Sequence, residues 1–360
     1  MALFLGRRVF LVLGVVVFVS IFVFMMIPML FPRPESAELP LYYPTDDWRR
    51  ATPEEAGMNA DILSMMVADI EASSFETRSC IIVKDGYLVV EEYYSGFSRE
   101  SSQSVFSCTK TVMGTLIGIA ISEGKIRGVD EKLSDLLPGR DIASWMKDIT
   151  LENLLTMSAG LPGDDWLYNF RGLDEMLASP DPLSYALTRP MSFDPGSRFE
   201  YTDAVSHILS CIITEKTGMS ASEYAKEKLF EPLGVEDFLW SSDRQGRSWG
   251  YSTLWLRPLD MAKIGLLYMR GGLWEDKQIV PEGWIRDATE HRVDANLLDG
   301  YGYQIWVDDD GWYTALGYKG QFIMVFPELD TVAVFTGGTP DTYSYNIALA
   351  DRFVIPAAGG

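Results

Sequence analysis

A serine and a lysine lie three residues apart in an otherwise apolar stretch, Ser104-Val-Phe-Ser-Cys-Thr-Lys-Thr-Val-Met-Gly114. Side chains three apart on a helix share a face, so Ser107 and Lys110 are expected to be neighbours. A buried lysine costs free energy unless it is paired or has a chemical role. A serine hydroxyl becomes nucleophilic when a neutral base takes its proton, and burial near a helix N-terminus favours neutral lysine. The pair therefore predicts a nucleophile and its proton acceptor.

The same spacing also occurs in Ser144-Trp-Met-Lys147. This second pair lies in a short stretch between Asp141 and Asp148, where a solvated lysine is expected. The spacing alone is thus a weak signal, and the apolar context favours Ser107.

A nucleophilic serine also needs a second proton carrier and an oxyanion hole. Phe199-Glu-Tyr-Thr-Asp203 follows the Phe193-Asp-Pro-Gly turn and opens a helix, which places Tyr201 on a constrained loop. A tyrosine beside an ammonium group can relay protons. An oxyanion hole needs two backbone N–H groups that face one point. Ser107 supplies one at its helix start, and the glycine-containing strand Gly317-Tyr-Lys-Gly-Gln321 can supply the other.

Strand patterns at both ends of the chain flank a mostly helical middle. Residues 79–94 are typical of two strands joined by a tight hairpin turn at Asp85-Gly86. An apolar helix is expected from Ser107 to about Gly124. Helical patterns dominate from 129 to 292, strands return at 301–307, 311–326 and 331–338, and a last helix includes 346–354. This order predicts an α+β fold: one antiparallel sheet from the N- and C-terminal strands, flanked by helices, with an inserted mainly helical lobe. The active site is expected where the lobe meets the sheet.

The order of these motifs resembles that of the serine β-lactamases and penicillin-binding proteins: Ser-x-x-Lys, then Tyr-x-Asn, then a Lys-Thr-Gly-like triplet. The chain looks most like the class C β-lactamase-related branch, which includes esterases and 6-aminohexanoate-dimer hydrolases. The stretches that carry this likeness are ITLENLLTMSAGLP, FDPGSRFEYTDA, RPLDMAKIGLLYMRGG and FPELDTVAVFTGG. The resemblance extends from about Thr52 to the C-terminus and implies a β-lactamase-like fold.

The resemblance implies a role for each motif residue. Ser107 would be the nucleophile, Lys110 its proton acceptor, and Tyr201 the acid and base that protonates the leaving group and later activates water. The N–H groups of Ser107 and Gln321 would form the oxyanion hole, because Gln321 follows the triplet Tyr318-Lys319-Gly320. No metal and no cofactor is implied.

Two departures from the family pattern concern the substrate site. Asp203 stands where the family usually has Asn, and an ionised Asp203 would pair with Lys110 and repel substrate carboxylates. Tyr318 stands where β-lactamases place the lysine that binds a carboxylate, and strand alternation is expected to turn Lys319 to the other face. Together with Gly320 these residues predict a site for a neutral or cationic ester or amide.

An aromatic loop, GDDWLYNFRG, interrupts the helical middle. Its Trp166 and Tyr168 either line a pocket for the acyl group of the substrate or serve only to fill space in the packing of the loop, and both interpretations stay open.

Composition restricts the other classes of function. Lys+Arg 30 against Asp+Glu 51 gives a net charge of -21, which disfavours nucleic acid and anionic lipid headgroups as partners. The three cysteines, Cys80, Cys108 and Cys211, have no CxxC spacing and are expected to be small buried hydrophobes, although one disulfide stays open. A thiol site of Cys108 with His207 is a weaker alternative, and an i,i+4 pair of His207 with Asp203 on a helix surface stays open.

The N-terminus predicts a membrane anchor. After Arg7 and Arg8, residues 9–31 carry no charge and form a helix of roughly 35 Å, enough to cross a bilayer. We expect a cytoplasmic tail at 1–8, an uncleaved signal anchor at 9–31, a linker at 32–50, and a hydrolase domain at 51–360 on the periplasmic or extracellular side. A cleaved signal peptide is the lesser alternative.

The sequence thus predicts a membrane-anchored serine hydrolase that cleaves a small-molecule ester or amide through an acyl-enzyme on Ser107. A D-peptidase or carboxypeptidase, or a weak β-lactamase of the cell envelope, is an enzymatic alternative. A non-catalytic ligand-binding or sensor module on the same fold is the alternative from another class.

Overall fold

The computed structural model of the protein describes residues 40–163 and 171–359. Its first hairpin forms at Asp85 and Gly86, whose φ angles of 54° and 88° are both positive, as a tight two-residue turn requires. In chain order the strands are β1 (Thr77–Lys84), β2 (Tyr87–Tyr93), β3 (Gln103–Ser104), β4 (Leu239–Trp240), β5 (Leu254–Leu256), β6 (Leu273–Trp274), β7 (Lys277–Gln278), β8 (Val293–Asp294), β9 (Gly300–Tyr301), β10 (Trp306–Val307), β11 (Tyr313–Gly317), β12 (Gln321–Phe326) and β13 (Thr331–Gly337).

Strands from both ends of the chain form one antiparallel sheet of eight strands, in the order β2-β1-β13-β12-β11-β10-β9-β8. The predicted α+β class, with an antiparallel sheet from N- and C-terminal strands, is confirmed. Two details differ from the expected strands: residues 311–326 break at a turn over 318–320, and 301–307 hold two short strands. A second sheet has the order β3-β5-β4, and β6 pairs with β7.

Twelve α-helices lie in the part of the chain that the structure describes. They are α1 (Ala60–Ala72), α2 (Cys108–Ser122), α3 (Leu133–Leu136), α4 (Leu151–Leu155), α5 (Arg171–Ala178), α6 (Pro182–Leu187), α7 (Asp203–Thr217), α8 (Ala221–Ala225), α9 (Pro258–Met269), α10 (Glu282–Ala288), α11 (Thr342–Leu349) and α12 (Ile355–Gly359). Helices α3 to α8 form the helical lobe that interrupts the sheet in sequence.

Helices cover both faces of the sheet. In β12, Phe322 lies against the ring of Tyr343 in α11, with ring centroids 5.7 Å apart. The next residue, Ile323, lies against Gly265 of α9. Because consecutive strand residues point to opposite faces, α11 and α9 pack on opposite sides of the sheet.

Helix α2 is buried on almost every side, as its apolar composition predicts. Its glycines allow close neighbours: a methyl group on Gly114 would lie 2.7 Å from the carbonyl oxygen of Tyr303, and one on Gly118 would meet the ring of Trp284. Helix α7 packs against α2, which brings the helical lobe to the start of α2.

Part of the predicted linker packs on the domain. The N–H of Leu88 donates to the carbonyl oxygen of Arg49 at 2.9 Å, and the N–H of Ala51 donates to that of Leu88 at 3.2 Å. Trp48 is buried in the core. The chain at Arg50 therefore pairs with β2 at Leu88.

No helix in residues 40–163 and 171–359 has the length and apolar character needed to cross a membrane. The structure therefore does not support the expected single-pass membrane protein, and that expectation is withdrawn. The run 9–31 on which it rested lies outside the described residues.

Candidate active site

The turn before α2 sets the position of Ser107. Phe106 adopts a φ of 46°, a left-handed conformation that costs a bulky residue free energy and is often found at functional sites. Ser107 follows as the N-cap of α2, but its φ and ψ of -70° and -7° are helical and its side chain caps no backbone N–H. The hydroxyl oxygen of an N-cap serine usually accepts a hydrogen bond from a backbone N–H in the first turn of its helix. Here the hydroxyl is left for Lys110.

Lys110 is buried and its ammonium group makes three hydrogen bonds. Its Nζ atom donates to Ser107 Oγ at 3.0 Å, to Asp203 Oδ1 at 2.6 Å and to the carbonyl oxygen of Tyr251 at 3.0 Å. A lysine has three N–H donors, so all of them are used. The predicted neighbours Ser107 and Lys110 are thus in direct contact, and the expected pairing of Asp203 with Lys110 is present.

Tyr201 lies beside the same lysine. Its ring centroid is 4.7 Å from Lys110 Nζ, and its ring stacks on Trp306 at 5.9 Å with an interplanar angle of 21°. Asp203 begins α7 two residues later, so one junction between loop and helix delivers both side chains. The structure therefore brings Ser107, Lys110, Tyr201 and Asp203 together, as the sequence analysis expects.

Strand β11 passes close to the start of α2. A methyl group on Gly317 would lie 2.3 Å from the carbonyl oxygen of Val105 and 3.2 Å from the nitrogen of Ser107. Only a glycine allows this approach, which puts the end of β11 beside the N–H of Ser107. Neither that N–H nor the N–H of Tyr318 has a hydrogen-bond partner among the described residues.

Gln321 has a different place from the one expected. It pairs with Gly317 across the β11–β12 hairpin and is buried away from the cavity described below. Its side-chain amide donates to the carbonyl oxygens of Tyr318 and Lys319 at 3.3 Å each and to that of Gly337 at 2.8 Å. Gln321 thus holds the turn from behind.

Lys319 does not point away as strand alternation predicts. Residues 318–320 form a turn, with Lys319 at φ 65° and Gly320 at φ 83°, so the alternation of a strand does not apply to them. Lys319 instead lines the cavity together with Tyr318. Gly320 lies at the back of the turn, where its carbonyl oxygen accepts from Asn346 Nδ2 at 2.9 Å.

A cavity of about 410 Å³ opens above Ser107, where the helical lobe meets the sheet. Sixteen described residues line it: Phe106, Ser107, Leu173, Tyr201, Asp203, Tyr251, Ser252, Asn296, Leu297, Trp306, Leu316, Gly317, Tyr318, Lys319, Pro340 and Tyr343. Its walls are mainly aromatic and aliphatic. Trp166 and Tyr168, the expected pocket aromatics, lie outside the described residues.

Several of these wall residues carry no motif in the sequence. Trp306 sits between two apolar residues, Tyr251 follows a glycine, and Asn296 and Leu297 lie in the loop between β8 and β9. In the sequence, Trp306-Val307 indicates a strand but no functional role. These wall residues come close to Ser107 through the tertiary structure, which local sequence patterns do not predict.

The rival thiol site is not formed. Cys108 is buried, its thiol contacts the carbonyl oxygen of Gln321 at 3.6 Å, and burial raises its pKa well above the ordinary value. His207 is also buried and does not pair with Asp203 on a surface; its Nε2 lies 3.5 Å from Asp243 Oδ2. All three cysteines are free and buried, as expected of small hydrophobes.

The second Ser-x-x-Lys pair has no part in the cavity. Ser144 begins a single 3₁₀ turn, and both Ser144 and Lys147 are exposed. The expected solvated lysine is confirmed.

Comparison with known proteins assigns the family. The profile of the family described as Beta-lactamase matches residues 66–348, which is most of the chain. The chain belongs to the beta-lactamase family. It is a serine hydrolase of this family, as the resemblance implied.

The curated relatives include proteins named as a hydrolase, a putative carboxypeptidase and an amidase. The 6-aminohexanoate-dimer hydrolase of Paenarthrobacter ureafaciens is 24% identical over 318 residues, covering 81% of this chain and 80% of the relative. The chain spans about half the length of several other curated relatives that it matches.

Two solved structures illustrate the shared fold. A penicillin binding protein from Bacillus halodurans has a TM-score of 0.66 at 19% identity, covering 80% of this chain and 99% of that one. A family VIII carboxylesterase has a TM-score of 0.66 at 16% identity, covering 82% of this chain and 95% of that one. At these identities the likeness establishes the fold alone.

Proposed function

We propose that this protein hydrolyses a carboxylic ester or amide through an acyl-enzyme on Ser107. One observation carries the proposal: Lys110 Nζ lies 3.0 Å from Ser107 Oγ at the floor of a cavity of about 410 Å³. The hydroxyl does not cap its helix. A serine beside a buried amine and open to a cavity has the arrangement of an activated nucleophile.

The proposed reaction has two halves. Neutral Lys110 takes the proton of Ser107 as Oγ attacks the substrate carbonyl, and Tyr201 gives a proton to the departing alkoxide or amine. The acyl group is then bonded to Ser107 Oγ. In the second half Tyr201 takes a proton from water, the water oxygen attacks the acyl carbon, and Oγ leaves with the proton from Lys110. After the first half Lys110 holds one extra proton and Tyr201 lacks one, and the second half restores both, so the full cycle consumes only the substrate and one water.

The oxyanion hole is proposed to use the N–H groups of Ser107 and Tyr318. Both are without partners in the described chain, and the glycine at 317 brings the two segments together. Two preorganised N–H donors stabilise the negative charge that develops on the carbonyl oxygen. Tyr318 therefore replaces Gln321 as the proposed second donor, because Gln321 does not line the cavity.

The ion pair of Lys110 with Asp203 supports a second candidate. A carboxylate 2.6 Å from the lysine favours an ammonium group, which accepts no proton. A ligand-binding module that has kept the fold and lost the reaction would tolerate such a pair. The free serine hydroxyl and the unpaired N–H groups of Ser107 and Tyr318 favour the hydrolase.

The two candidates are distinguished by covalent labelling. The 360-residue chain is treated with a fluorophosphonate probe and its intact mass is measured, alongside Ser107→Ala and the matched control Ser144→Ala. A single adduct that only Ser107→Ala abolishes is expected. An unlabelled wild type whose thermal unfolding shows a folded protein would overturn the hydrolase and leave the binding module.

A further inference from the structure

A buried glutamine connects three helices to the sheet. Gln304 occupies the turn between β9 and β10 and is 1% exposed. Its φ of 61° is left-handed, a conformation that costs a non-glycine residue free energy and persists only where the surrounding structure holds it. Strain of this kind is concentrated at functional sites, so Gln304 is a candidate for a functional role.

The polar groups of Gln304 all have hydrogen-bond partners on these helices. Its backbone N–H donates to the carbonyl oxygen of Leu155 at 2.9 Å, and its Nε2 donates to those of Leu154 and Leu155 at 3.2 and 3.0 Å. Its Oε1 accepts from Ser206 Oγ of α7 at 2.6 Å, and its carbonyl oxygen accepts from Thr111 Oγ1 of α2 at 2.8 Å. One residue thus binds α2, α4 and α7.

Two of these contacts lie next to the reaction centre. Thr111 directly follows Lys110 in α2, and Ser206 lies three residues after Asp203 on the same face of α7. The ion pair of Lys110 with Asp203, at 2.6 Å, crosses from α2 to α7. Gln304 therefore bridges the same two helices within about one helical turn of this ion pair.

The spacing of α2 and α7 matters because the two helices carry different parts of the proposed machinery. Ser107 and Lys110 belong to α2, whereas Tyr201 lies just before α7. Gln304 also leads, two residues later, to Trp306, whose ring stacks on that of Tyr201 at 5.9 Å. A displacement of reacting groups by about 1 Å can lower a rate by about 10²-fold.

We propose that Gln304 is a positioning residue for the reaction: through Thr111 and Ser206 it sets the distance between α2 and α7. The inference rests on the proposed hydrolase and names what holds its reaction centre together. Gln304 does not line the cavity, so it acts through Lys110 and the other groups on these helices and not on the substrate.

The test changes the partners of Gln304, because replacing Gln304 itself removes contacts to three helices and endangers the fold. Thr111→Val keeps the shape of the side chain and removes the hydroxyl that binds Gln304, whereas Thr111→Ser keeps the hydroxyl. Thr115→Val is the matched control. The Thr115 hydroxyl is also buried in α2, but its partners are the carbonyl oxygen of Thr111 and the hydroxyl of Tyr268, both at 2.8 Å, and neither belongs to α7.

The measurement is the labelling of Ser107 in the 360-residue chain by fluorophosphonate at several concentrations, which separates kinact from KI, together with Tm. We expect Thr111→Val to lower kinact about tenfold while KI stays within about twofold, because the cavity walls are unchanged. Ser206→Ala removes the bond on the α7 side and should act in the same way. Thr111→Ser and Thr115→Val should stay within about twofold of the wild-type kinact, although Thr115→Val loses a buried hydrogen bond and some Tm.

Two results overturn the inference. One is a kinact within about twofold of wild type in either Thr111→Val or Ser206→Ala. The other is an equal fall in Thr115→Val, because the loss of any buried hydroxyl would then have the same effect. Failure of the hydrolase is recognised separately, as a folded wild type in which Ser107 is not labelled; no reaction centre is then left to position, and the inference falls with it.

Discussion

The ammonium nitrogen of Lys110 lies 2.6 Å from the Oδ1 atom of Asp203, and the lysine side chain is 2% exposed. A carboxylate stabilises a neighbouring ammonium ion, whereas the proposed reaction begins with a neutral amine. The related pattern Tyr-x-Asn has an uncharged amide at the position of Asp203. We therefore expect this pair to control how readily Ser107 becomes a nucleophile.

Asp203→Asn should make Ser107 more reactive. Asparagine keeps an oxygen that accepts from Lys110 but removes the negative charge that favours an ammonium group. We expect Ser107 to be labelled several-fold faster than in wild type. The measurement is the fluorophosphonate labelling rate of the two proteins at one pH.

Asp148→Asn is the matched control, because Asp148 is an exposed carboxylate paired with Lys132 at 2.7 Å. Its labelling rate should match that of wild type. A labelling rate of Asp203→Asn that equals or falls below that of wild type contradicts the role given to the ion pair.

Tyr201→Phe should separate catalysis from packing. Phenylalanine keeps the ring that stacks on Trp306 and lies beside Lys110, but it removes the hydroxyl that carries the proton. We expect kcat on an ester to fall by about 10²- to 10⁴-fold, while Tm changes by no more than a few degrees. Steady-state kinetics and thermal unfolding measure the two effects.

Tyr303→Phe is the comparison for this loss of a hydroxyl. The Tyr303 hydroxyl donates to Glu152 at 2.9 Å and does not line the cavity. Its activity should equal that of wild type. A kcat of Tyr201→Phe within about twofold of wild type would remove Tyr201 from the mechanism.

Gly317→Ala should impair both stability and activity. The added methyl group would lie 2.3 Å from the carbonyl oxygen of Val105, so β11 must move away from the start of α2. A displaced β11 also moves the N–H of Tyr318 from its position beside that of Ser107. We expect a lower Tm and a fall in kcat of about 10²-fold or more, the usual effect of losing one oxyanion donor.

Gly283→Ala provides the control for a glycine-to-alanine change. Gly283 lies in α10, and a methyl group there has only Arg286 Nη2, at 3.6 Å, as a near neighbour. Alanine in a helix is favoured over glycine by about 0.5 to 1 kcal/mol, so this variant should be slightly more stable and equally active. If Gly317→Ala behaved in the same way, the close approach of β11 would have no catalytic value.

His291 is expected to stabilise the protein in a pH-dependent manner. The hydrogen bond to Asp309, at 2.8 Å from Nδ1, raises the pKa of His291 above its ordinary 6.5, and a second bond to Asp294 adds to the effect. A raised pKa in the folded state means that protonation stabilises the fold. This stabilisation is fully present below about pH 6.5 and is lost as the pH rises through the higher folded-state value.

Substitution of His291 by glutamine therefore has a predicted sign. The Tm difference between wild type and His291→Gln should be larger at about pH 5.5 than at about pH 8.5. Because His291 is partly exposed, the difference should also shrink in high salt. A Tm difference that is constant across this range would show that the carboxylates of Asp294 and Asp309 do not act on His291.

Local patterns determined a large part of this protein. The hairpin at Asp85-Gly86 follows from a dipeptide that accepts positive φ at both positions. Helix α7 begins at Asp203, where the segment Phe199-Glu-Tyr-Thr-Asp203 is expected to open a helix. The contact of Ser107 with Lys110 follows from a spacing of three on one helix, a relationship that needs no other part of the chain.

What depends on distant contacts was decided only by the tertiary structure. The sequence shows Tyr318-Lys319-Gly320 as a continuation of a strand, and strand alternation then turns Lys319 away. In the folded chain the buried amides of Gln321 and Asn346 bind the carbonyl oxygens of these residues and hold them as a turn. Those bonds need β12, β13 and α11 packed together. Lys319 therefore faces the cavity because of residues that its own neighbours in sequence do not predict.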